Sequence, residues 1–211
     1  MGRIIVIKMR RLTVVSGGCR SGKSRYAIER AKQLSEEVVY IATCQPQDDE
    51  MRERVERHRR ERPHSWRTVE GELDFVRVLE QIFIPTQSVG MRDSNARMKD
   101  LNTKMKDSLV PTLCVGTTIL IDCLTLWVST HLFAGKSKEW ILQEAKRTLG
   151  LIERIPSWVI VVTNEVGWGI VPENSLARNF RDLAGEVNQL FAKAADEVIL
   201  MVAGIPVKLK E

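Results

Sequence analysis

The stretch Gly17-Gly18-Cys19-Arg20-Ser21-Gly22-Lys23-Ser24 decides how this chain is read. It fits G-x-x-x-x-G-K-[ST], and its flanks supply the context the pattern needs. Leu12-Thr13-Val14-Val15 before it is a short β-branched run, which predicts a buried parallel strand. Ala27, Ile28, Ala31 and Leu34 after it recur at helical spacing. Strand, glycine loop and helix therefore follow in the order of a phosphate cradle. The glycines let the backbone turn its N–H groups inward, and the helix N-terminus adds positive potential. Lys23 is expected to reach the β- and γ-phosphates, and the Ser24 hydroxyl to ligate Mg²⁺.

A second element supports the first. Thr117-Thr118-Ile119-Leu120-Ile121-Asp122 reads as a buried strand ending in a carboxylate, the position from which a Walker B acid holds Mg²⁺. The competing reading of Asp122 is a strand-ending acid that caps the next turn. Val38-Val39-Tyr40-Ile41-Ala42-Thr43 predicts another strand. Its exit through Cys44, Gln45 and Pro46 lies at the edge where open α/β sheets bind ligands. Residues 158–163 form a further buried strand with Asn164-Glu165 at its end. Glu165 is read either as a metal-side or substrate-side carboxylate or as a turn stabiliser. Val198-Ile199-Leu200-Met201-Val202-Ala203 is expected to close the sheet, after a helix opened by Pro172.

The chain has 211 residues, 44% of them hydrophobic, enough to fill one α/β core. We expect a single domain over 1–211, with a short extension at 1–11 and a polar, aperiodic insertion at about 85–117. The net charge is +5, with 27 acidic residues interspersed among 32 basic ones. That balance suits a small polyanion. With no aromatic-and-basic platform present, a nucleotide rather than a nucleic acid is the expected partner. Cys19, Cys44, Cys114 and Cys123 show no C-x-x-C pairing or metal-like spacing, which points to a reducing cytosol. No run approaches the roughly 18 apolar residues of a spanning helix.

Residues 48–62 are dense in charge, acidic at the start and arginine-rich toward the end, as the helix macrodipole favours. Met51, Val55 and His58 share one face of this helix, and Arg57, Arg59, Arg60 and Arg62 surround the histidine. Two readings stand side by side. One is a solvated, salt-bridged helix with an incidental histidine. The other is an imidazole that contacts or attacks phosphate. His64 and His131 are read as packing or surface residues.

Taken together, these segments resemble the bifunctional adenosylcobinamide kinase/adenosylcobinamide-phosphate guanylyltransferase family of cobalamin assembly. The likeness runs through Ser16 to Ser24, Tyr40-Ile41-Ala42-Thr43, and Asp48-Asp49-Glu50-Met51 with His58 and Arg62-Pro63. It continues in Trp66-Arg67-Thr68-Val69-Glu70, Thr163-Asn164-Glu165-Val166-Gly167, Gly169-Ile170-Val171-Pro172-Glu173-Asn174 and Phe180-Arg181-Asp182. The resemblance implies a P-loop fold with a mostly parallel sheet, RecA-like, assembled as a trimer. It implies phosphorylation of adenosylcobinamide by ATP or GTP, then GMP transfer from GTP to adenosylcobinamide phosphate through a guanylylated histidine. By position that histidine is His58. The nucleotide contacts it implies are Gly17, Gly18, Cys19, Arg20, Ser21, Gly22, Lys23, Ser24, Ala42, Thr43, Cys44, Arg59, Arg60, Glu61, Arg62, Glu70 and Asp122. Ser24 and Asp122 would hold Mg²⁺. This chain departs from the family pattern in having Arg57-His58 where some relatives have two histidines, aspartate at 122 where glutamate is common, and the 85–117 insertion.

Overall fold

A computed structural model of the chain describes residues 12–44, 49–71, 73–83 and 116–211, apart from the side chain of Arg54. The expected extension at 1–11, Cys114 and nearly all of the insertion lie outside the described residues. In chain order the elements are Leu12–Gly17 (β1), Lys23–Leu34 (α1), Val38–Ala42 (β2), Asp49–Arg60 (α2), Arg67–Glu70 (β3), Phe75–Phe83 (α3), Thr118–Asp122 (β4), Leu124–Phe133 (α4), Lys138–Ile152 (α5), Trp158–Val162 (β5), Ser175–Ala194 (α6), Glu197–Val202 (β6) and Ile205–Lys210 (β7).

The strands form one seven-stranded sheet in the order β3-β2-β4-β5-β1-β6-β7. All pairings are parallel except β6 with β7. The apolar runs have the length and unbroken hydrophobicity of strands covered on both faces. Alternate residues serve the two sides. Val14, Ile41, Ile121 and Val161 pack with Leu79, Ile141, Val187 and Phe191 of α3, α5 and α6. Val15, Tyr40, Leu120 and Ile160 pack with Ala27 and Ile28 of α1. The sheet thus combines strands from before and after residues 85–117.

Two strands escape the sequence reading. β3 is a four-residue edge strand too short and polar to show a period. β7 extends the sheet beyond β6, so the run ending at Ala203 does not close it. Ala203 (φ 51°) and Gly204 (φ 84°) both take the left-handed conformation of a two-residue hairpin, turning the chain back on itself. Pro172 does not open α6 either. Asn174 caps that helix by accepting from the Ala177 N–H at 3.1 Å, while Arg178 Nη1 donates to the Pro172 carbonyl at 2.9 Å.

Register sets the site. Val15, Val162, Asp122 and Ala42 stand side by side across β1, β5, β4 and β2. The glycine loop, the Asp122 carboxylate and the chain leaving β5 therefore emerge at one edge, the carboxyl ends of the strands. One strand, β5, separates the loop from Asp122.

Candidate active site

The loop is built by conformations that L side chains resist. Gly17 has φ +152°, and a Cβ there would meet the Met201 carbonyl oxygen at 2.5 Å. Gly22, the N-cap of α1, has φ +92°. Gly18 has nothing within 4 Å of an added Cβ, which leaves the backbone open to a ligand. Lys23 Nζ donates to the Gly18 carbonyl at 2.5 Å and to Ser21 Oγ at 3.4 Å, so the ammonium is curled over the loop. Burial lowers its pKa below the ordinary 10.5, opposed by Cys123, Asp122, Cys19 and Glu165.

A cavity of about 1210 Å³ opens in front of this loop. Residues 19–25 line one side, Tyr40, Ala42, Cys44 and Asp122 the floor, and α2 the other side through Arg52, Val55, His58 and Arg59. Glu61, Arg62, Glu70, Asn164 and Glu165 complete it. His58 therefore faces the space that Lys23 faces. Its side chain is 36% exposed, yet Nδ1 is buried without a hydrogen bond among the described residues, 3.7 Å from Glu61 Oε2.

Of the residues singled out from sequence, Thr43, Gly17, Gly18 and Arg60 do not line the cavity. Thr43 is buried, its hydroxyl donating to the Cys123 carbonyl at 2.8 Å and accepting from the Cys123 N–H at 2.8 Å. Gly17 shapes the turn of the loop against Met201, and Gly18 leaves its backbone uncovered. Arg59 is already committed: Nε donates to Glu70 Oε1 at 2.9 Å, Nη2 to Glu70 Oε2, and Nη1 to Glu56 at 2.7 Å. The hydrogen bonds from Arg59 are the main cause that holds the Glu70 carboxyl below its ordinary pKa. This pair straps α2 to the end of β3.

Tyr40 is the site residue that the sequence reading missed. Read as strand core, it is 2% exposed, but its hydroxyl donates to Asp122 Oδ2 at 2.7 Å. Burial, reinforced by Asp122, raises its pKa well above 10, so the phenol keeps its proton and remains a donor. Adjacent parallel strands of matched register bring the two together, since Tyr40 pairs with Leu120 two residues before Asp122.

Asp122 has a second carboxylate oxygen for a metal ion, and Ser24 opens α1 on the same cavity. A hydroxyl and a carboxylate are the hard oxygen donors that Mg²⁺ accepts beside water and phosphate oxygens, so these residues fit the ion.

Comparison with known proteins decides the family. The model of the cobinamide kinase / cobinamide phosphate guanyltransferase family matches residues 13–95 and 92–209. The chain belongs to that family. The bifunctional adenosylcobalamin biosynthesis protein CobU of Escherichia coli K12 is 40% identical, covering 94% of this chain and 99% of that protein. CobU of Salmonella typhimurium is 39% identical over similar spans, and CobP of Pseudomonas aeruginosa 34% identical over 93% and 96%. Among solved structures, a KaiC-like protein of Pyrococcus horikoshii gives a TM-score of 0.44 at 13% identity, covering 90% of this chain and 70% of that one. The RadB recombinase gives 0.44 at 17%, covering 90% and 73%. The fold assignment rests on the sheet topology and the glycine loop. No helix among the described residues is long and apolar enough to cross a membrane.

Proposed function

We propose that the chain phosphorylates adenosylcobinamide with ATP or GTP and then transfers GMP from GTP to adenosylcobinamide phosphate, through a guanylyl group carried on His58. One observation carries this reading: the exposed edge of the His58 imidazole and the Lys23 loop line the same cavity. A neutral imidazole is nucleophilic near pH 7 without a strong base. An Nδ1–H directed at Glu61 would leave the Nε2 lone pair for the α-phosphorus. Attack there forms an N–P bond and breaks the bond to the bridging oxygen, releasing pyrophosphate and leaving GMP on the ring. The phosphate oxygen of adenosylcobinamide phosphate then takes the GMP and returns the nitrogen.

Lys23 would release the Gly18 carbonyl to meet the β- and γ-phosphates. Arg57 and Arg62, both at the cavity, would neutralise the transferring oxygens, where such catalysis gains most. Bound through Ser24 and Asp122, Mg²⁺ would add charge stabilisation on the phosphates. We further infer a single cytoplasmic domain over 1–211, a homotrimer, and no nucleic-acid partner.

The test is labelling with α-³²P GTP. The expected result is an acid-labile, alkali-stable adduct that disappears in His58→Ala. An unlabelled protein that still phosphorylates cobinamide would reduce the reading to a simple P-loop kinase, the alternative that the loop alone supports.

A further inference from the structure

Glu165 stands just past the end of β5, the strand between the glycine loop and Asp122, and its backbone N–H donates to the Gly17 carbonyl at 3.0 Å. Among the described residues, only one of its carboxylate oxygens accepts hydrogen bonds. Oε1 accepts from Ser16 Oγ at 2.5 Å and from Asn188 Nδ2 at 3.3 Å. Asn188 is itself fixed: Nδ2 also donates to the Asn164 carbonyl at 3.0 Å, and Oδ1 accepts from Thr163 Oγ1 at 2.6 Å. Thr163 lies 3.0 Å from Thr125 Oγ1, which accepts the Asn164 N–H at 2.7 Å. Residues from β1, α4, α6 and the end of β5 thus orient a single carboxylate. Its Oε2 accepts no hydrogen bond among the described residues, and the side chain lines the cavity that Lys23 lines.

A turn stabiliser needs only the acceptor on Oε1, which an amide would supply. What a carboxylate adds is negative charge and a second basic oxygen, on a residue that lines the same cavity as the phosphate cradle. Asp122 is poorly placed for that task, because Tyr40 holds one of its oxygens and the other suits a metal ion. Two carboxylates held by different partners at one site are the arrangement in which acid–base and metal-side roles separate.

We propose that Glu165 is the general base of the kinase step, and that it receives the alcohol group of the phosphate acceptor. This rests on the kinase half of the proposed function and not on the histidine. The acceptor hydroxyl gives its proton to Glu165 Oε2 and its oxygen forms the bond to the γ-phosphorus. The bond from that phosphorus to the bridging oxygen breaks, and the nucleoside diphosphate leaves toward Lys23. The proton passes to water as product departs. Guanylylation of His58 takes no proton from an alcohol, so it does not need this oxygen.

The two reactions therefore separate in Glu165→Gln, which keeps the acceptor for Ser16 and Asn188 but removes the base. Phosphorylation of cobinamide from γ-³²P ATP is expected to fall about 100-fold or more in kcat. The KM for ATP should move less than about threefold, and α-³²P GTP labelling of the protein should persist. Ser16→Ala, which leaves the carboxylate but removes one donor, should lose about tenfold of kcat. Were Glu165→Gln unable to fold, Glu165→Asp would carry the same test, since the shorter side chain keeps its charge but not its reach. Phosphorylation retained within threefold in Glu165→Gln would overturn the proposal. So would equal loss of both reactions together with nucleotide affinity, which would make Glu165 a structural part of the cradle. Absence of labelling in the unaltered protein would instead sink the guanylyl-histidine and leave the kinase comparison standing.

Discussion

The Arg62 guanidinium lies over the face of the Tyr40 ring, 3.6 Å from carbon to centroid, and the Tyr40 hydroxyl at the edge of that ring donates to Asp122 Oδ2 at 2.7 Å. Arg62 follows the end of α2 by two residues and is 8% exposed, with Nε and Nη1 buried and lacking hydrogen bonds among the described residues. Its Nη1 is 4.0 Å from Glu70 Oε1. A desolvated cation over an aromatic face is worth about 2 kcal/mol. The contact therefore seats the end of the histidine helix on the strand that orients the metal-side carboxylate.

Splitting that contact should separate two effects. Tyr40→Phe keeps the ring under Arg62 and loses the bond to Asp122. It should reduce stability by about 2 kcal/mol, lowering Tm by roughly 4–8 °C, and raise the Mg²⁺ concentration that half-saturates nucleotide binding. Arg62→Leu should instead lower α-³²P GTP labelling at least about tenfold more than it lowers affinity for a fluorescent GTP analogue. Equal losses in both measurements would show that Arg62 acts only through nucleotide binding.

The loop glycines should divide in the same manner. In Gly17→Ala the new Cβ would be 2.5 Å from the Met201 carbonyl and 2.8 Å from Ser21 Oγ at a φ that favours glycine. The expected loss is about 3 kcal/mol, or roughly 6–12 °C in Tm. Gly18→Ala meets nothing in the free protein. Its Tm should stay near that of the unaltered chain while nucleotide affinity falls, which calorimetry and titration would check.

His131, read as packing or surface, lies between Trp127 and Trp140 with ring centroids 5.0 Å from each, and its Nε2 is 3.3 Å from the Leu73 carbonyl. Burial lowers its pKa below 6.5, so the unfolded chain takes up a proton there before the folded one does. This contribution is therefore complete above pH 6.5 and is lost as pH falls through the folded-state value. Urea unfolding at pH 7.5 and 5.5 should show a smaller pH dependence in His131→Gln than in the unaltered chain.

The thiols of the site should differ in reactivity. Burial pushes Cys123 up to about 12, whereas Cys19 in the glycine loop is exposed. Iodoacetamide at pH 8 should alkylate Cys19 and spare Cys123, and saturating nucleotide with Mg²⁺ should protect Cys19. Mass spectrometry of the digested protein reads both, and modification of Cys19 undiminished by nucleotide would contradict the placement of the phosphates.

Much of this was legible along the chain because the signals are local. The strand, glycine loop and helix of residues 12–34 announce themselves through β-branched content, glycine positions and helical spacing. The three apolar residues before Asp122 do the same for β4. β3 and β7 were not legible: Arg67–Glu70 is stabilised by its pairing with β2 rather than by any pattern of its own. Ile205–Lys210 alternates apolar and lysine or proline residues with no partner visible until the Ala203-Gly204 turn folds it back. Tyr40 was hidden for another reason. A tyrosine inside an apolar run reads as core, and only strand pairing shows that its hydroxyl meets a carboxylate 82 residues away.

By itself the sequence determined the cradle, since eight consecutive residues carry the glycines, lysine and hydroxyl that phosphate binding needs, and short-range sterics force their conformation. It also determined that a histidine would ride on an arginine-rich helix, because charge order and spacing are properties of the chain alone. Only the tertiary structure decided that His58, Tyr40, Asp122 and Glu165 share one cavity. Their meeting depends on the order β2-β4-β5-β1, and that order is settled by which apolar faces pack and which strands pair across long separations, a competition no local pattern records.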